Sequence, residues 1–394
     1  MAGKNRVLYY IDHCLTPHES IPESAILCEK ERIIAIGGAS AFMKEPGLEI
    51  VDMTDCFAMP GLIDCHVHGA GGFDASNACE SSRDDLNRMS VALARHGVTT
   101  FFPTIVSESK ERMIRNVAAL ANLIEEDYDG ASPAGINIEG PFINPEKVGS
   151  QKKEFVYPID LNFAKELIEA GNGRLKLMTF APELENADKL IELLLENGVI
   201  PSMGHSMADG ESTLRAIDAG ARRCTHLFNG MPALHQRQAD LPLIALTDNQ
   251  VSVELIVDGG HLHPKMVDLA SRVKPQGMII GVSNAIDISI RNPVVNTQDA
   301  IIAEPSGVVR QDGLIAGTTT TLEKGWVHLT NYAKLPETLA AACFTSNPAR
   351  DLGLITRGEI RPGKNADITF FDRKTNTVRM TVVRGKIVYR AEEN

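Results

Sequence analysis

The sequence predicts an α/β protein, a (β/α)8 TIM-like barrel with a small β-sandwich domain formed from both chain ends. Three observations support this fold class. Short alternating strand-like segments stand at both ends of the chain, apolar strand-like runs alternate with helical patterns between them, and polar residues stand where those runs end. The 394 residues, 43% of them hydrophobic, can bury one large core and a smaller second domain.

The β-sandwich domain is predicted from two similar stretches, 1–58 and 354–394. Their strand-like segments are 7–11 and 32–37 in the first stretch, and 366–372 and 378–389 in the second. Turn residues separate the segments of the first stretch. We therefore expect the two chain ends to pair into one domain.

The barrel is predicted over residues 59–353. Its strand-like runs are, in chain order, 60–69, 98–104, 135–140, 175–181, 200–205, 224–228, 251–258 and 278–284. The segments between them, such as 109–126 and 186–197, carry apolar residues at helical spacing. Eight strands with helices between them are the elements of a closed barrel.

Composition narrows the function classes. A formal net charge of -12 would repel nucleic acid and anionic lipid, so a phosphorylated substrate would need a locally basic pocket. No run approaches the ~20 apolar residues of a membrane span, and the first residues lead into no signal-peptide core. The seven cysteines form no C-x-x-C pair and predict reduced thiols. We expect a cytoplasmic protein with no nucleic-acid or membrane partner.

The segment His66-Val67-His68 is the first candidate for metal binding. On a strand, residues two apart point to the same side, so both imidazoles would enter one space. Two histidines at a strand end also occur without any ion, so this pair does not decide the question by itself.

Other polar residues end other predicted strands. They are Glu139, His205, His226, Asp258 and Asn284. The carboxyl ends of barrel strands meet on the face that carries chemistry, so these side chains should converge with the histidine pair. A single histidine there could merely cap a strand, whereas several acid and imidazole groups together favour a metal site.

Four motifs resemble the amidohydrolase superfamily and, within it, the N-acetylglucosamine-6-phosphate deacetylase family, over essentially the whole chain. They are PGLIDCHVHG at 60–69, IEGPFINP at 138–145, MGHS at 203–206 and THLFNGM at 225–231. The first indicates only the superfamily, whereas EGPF followed by HLFN-x-M indicates the deacetylases. The resemblance implies hydrolysis of the acetamide of N-acetylglucosamine 6-phosphate to glucosamine 6-phosphate and acetate.

The resemblance also implies the metal ligands. Glu139, His205 and His226 would hold the tight metal, and His66 and His68 would hold a second one with Glu139 bridging. Family members that lack the histidine pair use one metal. Because both histidines are present here, we expect capacity for one or two divalent metals per subunit, with zinc favoured and iron, manganese or cobalt as alternatives.

The chain departs from the family at the catalytic acid/base. The family's aspartate at the end of the eighth strand, which takes the water's proton and returns it to the amine, falls on Asn284. An amide cannot accept and return that proton. Three explanations stay open: an engineered isostere, a natural loss that leaves a sugar-phosphate binding or sensing protein, or a shift of the base to Asp287.

The resemblance implies five substrate contacts. Asn229 and the backbone of Gly230 would contact the phosphate, with Arg237 adding charge across the interface of a homodimer, while Gln151 and His261 would contact the sugar. Arg237 could instead be a solvated loop charge, and Gln151 an ordinary loop residue. The segment 235–242 differs from the family's Arg-Glu-Pro-Gly, which leaves the exact amino sugar open, including the galactosamine epimer.

Overall fold

The structure is a computed structural model. It describes residues 6–42, 48–286, 302–304, 307–309, 315–318 and 320–392. In one parallel sheet the strands lie side by side in chain order, as in a barrel. A separate seven-stranded sheet is formed from the two chain ends. The predicted fold class is confirmed.

The sheet of the chain ends joins residues that are more than 300 positions apart. Its strands are Arg6–Leu15, Ser20–Glu29, Arg32–Gly38, Glu49–Pro60, Ile368–Asp372, Val378–Val383 and Lys386–Arg390. The fourth strand lies at the centre, parallel to the first and antiparallel to Ile368–Asp372. Tyr9 and Phe370 meet across this seam, with ring centroids 5.1 Å apart, in a buried cluster of its own. This second core stabilises the pairing of the two ends.

The barrel has eight parallel strands. They are, in order, Leu62–Val67, Val98–Val106, Ile136–Glu139, Leu175–Phe180, Ile200–Met203, Arg223–Cys224, Ser252–Ile256 and Ile279–Val282, here called barrel strands 1 to 8. Strands 1 and 8 meet through a single bridge between Val67 and Ala285 and a hydrogen bond of 2.9 Å from Asn284 N to His66 O. The barrel therefore closes at the candidate site.

Ten helices lie in the described part of the chain. They are Arg83–Ala94, Lys110–Leu123, Leu161–Ala170, Ala187–Glu196, Gly210–Ala219, Leu241–Thr247, Pro264–Val273, Leu322–Ala333, Glu337–Phe344 and Ser346–Asp351. Those over 110–123 and 187–196 agree with the helical spacing of the sequence. The Ser109 hydroxyl caps the former by accepting from Arg112 N at 3.4 Å. Within the described ranges no helix has the length and apolarity to cross a membrane.

Smaller elements complete the described chain. Strands Gly69–Ala70 and Phe73–Asp74 pair with each other, Ser132–Pro133 pairs with barrel strand 2, and Ile302–Glu304, Gly307–Val309 and Ile315–Gly317 form a three-stranded sheet. Single turns of 3-10 helix cover Ala39–Ala41, Lys153–Phe155 and Gln276–Met278, and a longer one covers Ala75–Glu80.

Barrel strand 6 is shorter than the sequence predicts. The apolar run at 224–228 indicates a strand, but only Arg223–Cys224 is one and the rest is a turn. His226 and Phe228 have positive φ angles of 26° and 77°, which no strand residue adopts. Leu227 N donates to the backbone oxygen of Glu254 at 2.9 Å, so tertiary contact with barrel strand 7 replaces the extended ladder. The predicted extent of this strand was wrong.

Candidate metal centre

The predicted metal ligands converge at the carboxyl ends of four barrel strands. Glu139 is the last residue of strand 3, and His66 is the next-to-last residue of strand 1. His205 and His226 lie two residues beyond strands 5 and 6. All of these side chains, with His68, are buried. Their positions follow from the parallel topology, which brings strand ends together.

Glu139, His205 and His226 form the tighter group, here called the trio. Glu139 Oε1 lies 3.1 Å from His205 Nε2 and 2.9 Å from His226 Nε2. The two Nε2 atoms are 3.1 Å apart. Three donor atoms therefore face one small space. Two imidazoles and one carboxylate leave coordination positions open for water and substrate, as in catalytic zinc sites.

His66 and His68 form a looser group, here called the pair. His66 Nε2 lies 3.4 Å from Glu139 Oε1, and His68 Nε2 lies 3.8 Å from Glu139 Oε2. Glu139 thus stands between both groups, and each group with Glu139 is close enough to hold an ion. His68 Nε2 also lies 2.9 Å from Asn284 Oδ1.

Three of the imidazole rings are oriented through Nδ1. His66 Nδ1 lies 3.0 Å from Glu254 Oε2, His68 Nδ1 lies 3.1 Å from the Thr104 carbonyl, and His205 Nδ1 lies 2.6 Å from the Lys147 carbonyl. Each partner can accept a hydrogen bond from Nδ1–H, and a neutral ring then has its lone pair on Nε2, where a metal could bind.

The buried Nε2 of His66 shows that the residues fit a metal. It has no hydrogen-bond partner among the described residues, although it faces the other donor atoms. A buried polar atom without a partner is costly, and a divalent ion at this point would satisfy it. The inward Nε2 atoms and the carboxylate suit such an ion.

The electrostatics of the site also favour a cation. Burial opposes the charge on Glu139, but His205, His226 and His66 together hold its pKa well below the ordinary value. Burial likewise disfavours a charged His66, yet Glu254 and Glu139 raise its pKa to about 10. The carboxylates thus favour positive charge at His66, supplied by a proton or by a metal that displaces it.

Gln151 contacts the candidate metal ligand Glu139 directly. Its amide nitrogen donates to Glu139 Oε2 at 2.9 Å, and its amide oxygen accepts from Ser107 N at 3.0 Å. Both ends of the amide are therefore used within the site. This arrangement holds Glu139 in place, a role that the sequence did not indicate.

Asn229 and Gly230 lie in the turn after His226. The Asn229 amide donates to the His226 carbonyl at 3.2 Å. Gly230 has a φ of 61°, and a Cβ there would lie 3.0 Å from His205 Nδ1. Glycine thus allows this turn to approach a ligand ring closely.

His261 and Arg237 lie in different surroundings. His261 Nδ1 lies 2.6 Å from Asp258 Oδ2, and the Thr318 hydroxyl donates to the same oxygen at 2.8 Å. Arg237 is exposed, on a segment whose His235 and Gln238 form an isolated bridge. Asp287, the alternative base, lies outside the described residues.

Sequence reasoning missed Glu254 and Arg223. Glu254 is buried in barrel strand 7 and holds both His66 and the backbone of His226, while Arg223 donates to it from barrel strand 6. The sequence did contain a signal for Glu254, which is a charged residue inside the apolar run 251–258. Burying such a charge is costly unless it is paired, so a buried partner could have been expected.

Comparison with known proteins gives the family of the chain. The amidohydrolase family matches residues 57–388. An N-acetylglucosamine-6-phosphate deacetylase of Bacillus subtilis (strain 168) is 30% identical over 357 residues, 89% of each chain. An N-acetylgalactosamine-6-phosphate deacetylase of Escherichia coli O157:H7 is 27% identical over 91% of this chain and 95% of that one.

A solved structure extends the similarity to three dimensions. It is an N-acetyl-D-glucosamine-6-phosphate deacetylase from Mycobacterium smegmatis, an aspartate-to-alanine variant in complex with N-acetyl-D-glucosamine-6-phosphate. It has a TM-score of 0.89 and 27% identity, covering 98% of this chain and 99% of its own. The family match and the relatives extend over most of the chain, and the chain therefore belongs to the amidohydrolase family.

Proposed function

We propose that the protein hydrolyses the acetamide of N-acetylglucosamine 6-phosphate to glucosamine 6-phosphate and acetate, with a divalent metal as cofactor. The observation that carries this proposal is the trio, whose three donor atoms lie 2.9 to 3.1 Å apart in a buried site at the carboxyl end of the barrel. Relatives that are named as deacetylases of this sugar phosphate support the substrate.

The metal would be held by Glu139, His205 and His226, with a second one on His66 and His68. When bound, a divalent metal lowers the pKa of a water molecule towards ~7 and polarises an acyl carbonyl. Zinc suits the nitrogen-rich ligand set, and iron, manganese and cobalt are the alternatives. Gln151 and Glu254 would keep Glu139 and His66 in place during the reaction.

Asn284 limits the rate in this proposal. It stands where the family's aspartate would take a proton and return it to the leaving amine, and its amide cannot act as an acid or a base at neutral pH. Asn284 Oδ1 lies 2.9 Å from His68 Nε2, its backbone N donates to the His66 carbonyl, and its backbone O accepts from Thr318 N. The chain should bind substrate and turn it over slowly.

The substrate contacts are part of the same proposal. Asn229 and the Gly230 backbone would contact the phosphate, and His261, held by Asp258, would contact the sugar. Arg237 is exposed and would reach the phosphate from the partner in a homodimer. A cytoplasmic location agrees with a phosphorylated metabolite as substrate.

A second candidate function is a non-catalytic protein that binds or senses the sugar phosphate. Asn284 favours it, because the replacement removes the acid/base group and leaves the rest of the metal centre intact. A third possibility is the galactosamine epimer, for which the E. coli O157:H7 relative is named.

Metal content and acetate release together test these candidates. The purified chain is analysed for metals and assayed with N-acetylglucosamine 6-phosphate and with its galactosamine epimer. Bound metal with slow acetate release from the glucosamine compound supports the proposal. Bound metal and bound sugar phosphate without acetate release, even after Asn284→Asp, indicate a binding protein. Absence of metal uptake contradicts all three.

A further inference from the structure

Glu254 connects both groups of metal ligands. It is 1% exposed, in the middle of barrel strand 7. Its Oε2 accepts from His66 Nδ1 at 3.0 Å and from the backbone N of His226 at 3.2 Å. One carboxylate oxygen thus holds a ring of the pair and the main chain of the trio.

The other oxygen of Glu254 is held by Arg223. Glu254 Oε1 accepts from Arg223 Nε at 3.1 Å and from Nη2 at 2.8 Å. Arg223 is fully buried and is itself fixed, because Nη1 donates to Asp351 and Nη2 lies 2.9 Å from Cys65 Sγ. By holding one oxygen, the guanidinium fixes the orientation in which the Glu254 carboxylate presents its other oxygen to His66.

We propose that Glu254 is a positioning residue that determines which nitrogen of His66 is available to a metal. An ionised carboxylate only accepts hydrogen bonds, so Nδ1 of His66 must carry a proton toward it. The lone pair of a neutral ring then lies on Nε2, the atom that faces Glu139 and has no other partner among the described residues. This inference rests on the metal centre of the proposed function.

An amide of the same shape would reverse this arrangement. In a Glu254→Gln variant we expect the amide oxygen to face Arg223, because the guanidinium cannot give up its protons, and the backbone N of His226 then loses its acceptor. The NH2 group then faces His66 Nδ1 and favours a lone pair there. The ring proton moves to Nε2, where it competes with a metal.

Zinc titration of the intact chain tests the proposal. We expect Glu254→Gln to lower the affinity of the pair for zinc by roughly 10- to 100-fold, the usual effect of removing a partner of a ligand histidine. The affinity of the trio for zinc should change much less. Calorimetry and metal analysis after dialysis measure both. The matched control is Glu323→Gln. Glu323 is also a buried carboxylate paired with a histidine, since its Oε1 lies 2.9 Å from His96 Nδ1, but His96 is not one of the candidate metal ligands.

A second readout reports the ring itself. In zinc-loaded protein with 15N-labelled histidine, assigned with a His66→Gln variant, we expect the proton of His66 on Nδ1. Glu254→Gln should lose that signal. A proton on Nε2 in the unaltered chain would overturn the proposal even if the variant fails to fold.

The other outcomes separate this inference from the proposed function. No zinc uptake by the unaltered chain would overturn both. Normal zinc uptake with equal affinities in the unaltered chain and Glu254→Gln would overturn the inference alone. An equal loss at both zinc equivalents would also overturn it, since Glu254 would then support the whole barrel end without selecting for His66.

Discussion

The trio and the pair share Glu139 but differ in how closely their donor atoms approach it. In the trio, both Nε2 atoms lie within 3.1 Å of Glu139 Oε1. In the pair, the Nε2 atoms of His66 and His68 lie 3.4 and 3.8 Å from the Glu139 oxygens, and His68 Nε2 lies 2.9 Å from Asn284. Ligand type is thus only part of a metal site. The neighbours of each ligand decide how firmly the donor atoms converge.

The largest effect is expected from breaking the trio. His205→Ala or His226→Ala should remove the tight metal and reduce acetate release to background, because two remaining protein ligands seldom retain a catalytic ion against a chelator. Elemental analysis after dialysis against a chelator measures this. Full occupancy in either variant would mean that the tight ligands have been wrongly assigned.

Restoring the acid/base group should have the next largest effect. Asn284→Asp should raise acetate release at saturating substrate by ~10²-fold or more, the range of a positioned acid/base group. Substrate affinity from calorimetry should change far less. Asp287→Asn is the control: if it abolishes activity that the unaltered chain already has, the base has moved.

A smaller effect is expected from breaking the pair. His68→Ala should deplete only the weaker metal equivalent, because the trio keeps its three donor atoms without it. Metal titration of the variant beside the unaltered chain shows which equivalent is lost. A loss of the tight equivalent instead would contradict the division into two groups.

The smallest effect is expected outside both groups. Arg237→Ala should weaken binding of N-acetylglucosamine 6-phosphate by about tenfold, since a charged hydrogen bond contributes roughly 1.5 kcal/mol, and should leave unphosphorylated N-acetylglucosamine unaffected. Arg215→Ala, an exposed arginine on the helix over 210–219, is the control. Equal losses for both sugars would assign Arg237 a scaffold role.

Sequence patterns alone predicted the fold and the strand ends at which the candidate ligands lie. Apolar runs alternate with helical spacing, and Glu139, His205 and His226 follow such runs, so parallel topology alone brings them to one rim. The asparagine at position 284 was equally visible, because its inability to take up a proton is a property of the residue type and needs no geometry.

The partners that hold the imidazole rings became visible only in the folded chain. Glu254 meets His66 across 188 positions of sequence, and His68 meets Thr104 of the neighbouring strand. The turn at His226 replaced an expected strand because contacts with barrel strand 7 outweigh local preference. A sequence pattern gives the side of a strand on which a residue lies. The rotation of a ring depends on partners distant in the chain, and these appear only when the barrel has closed.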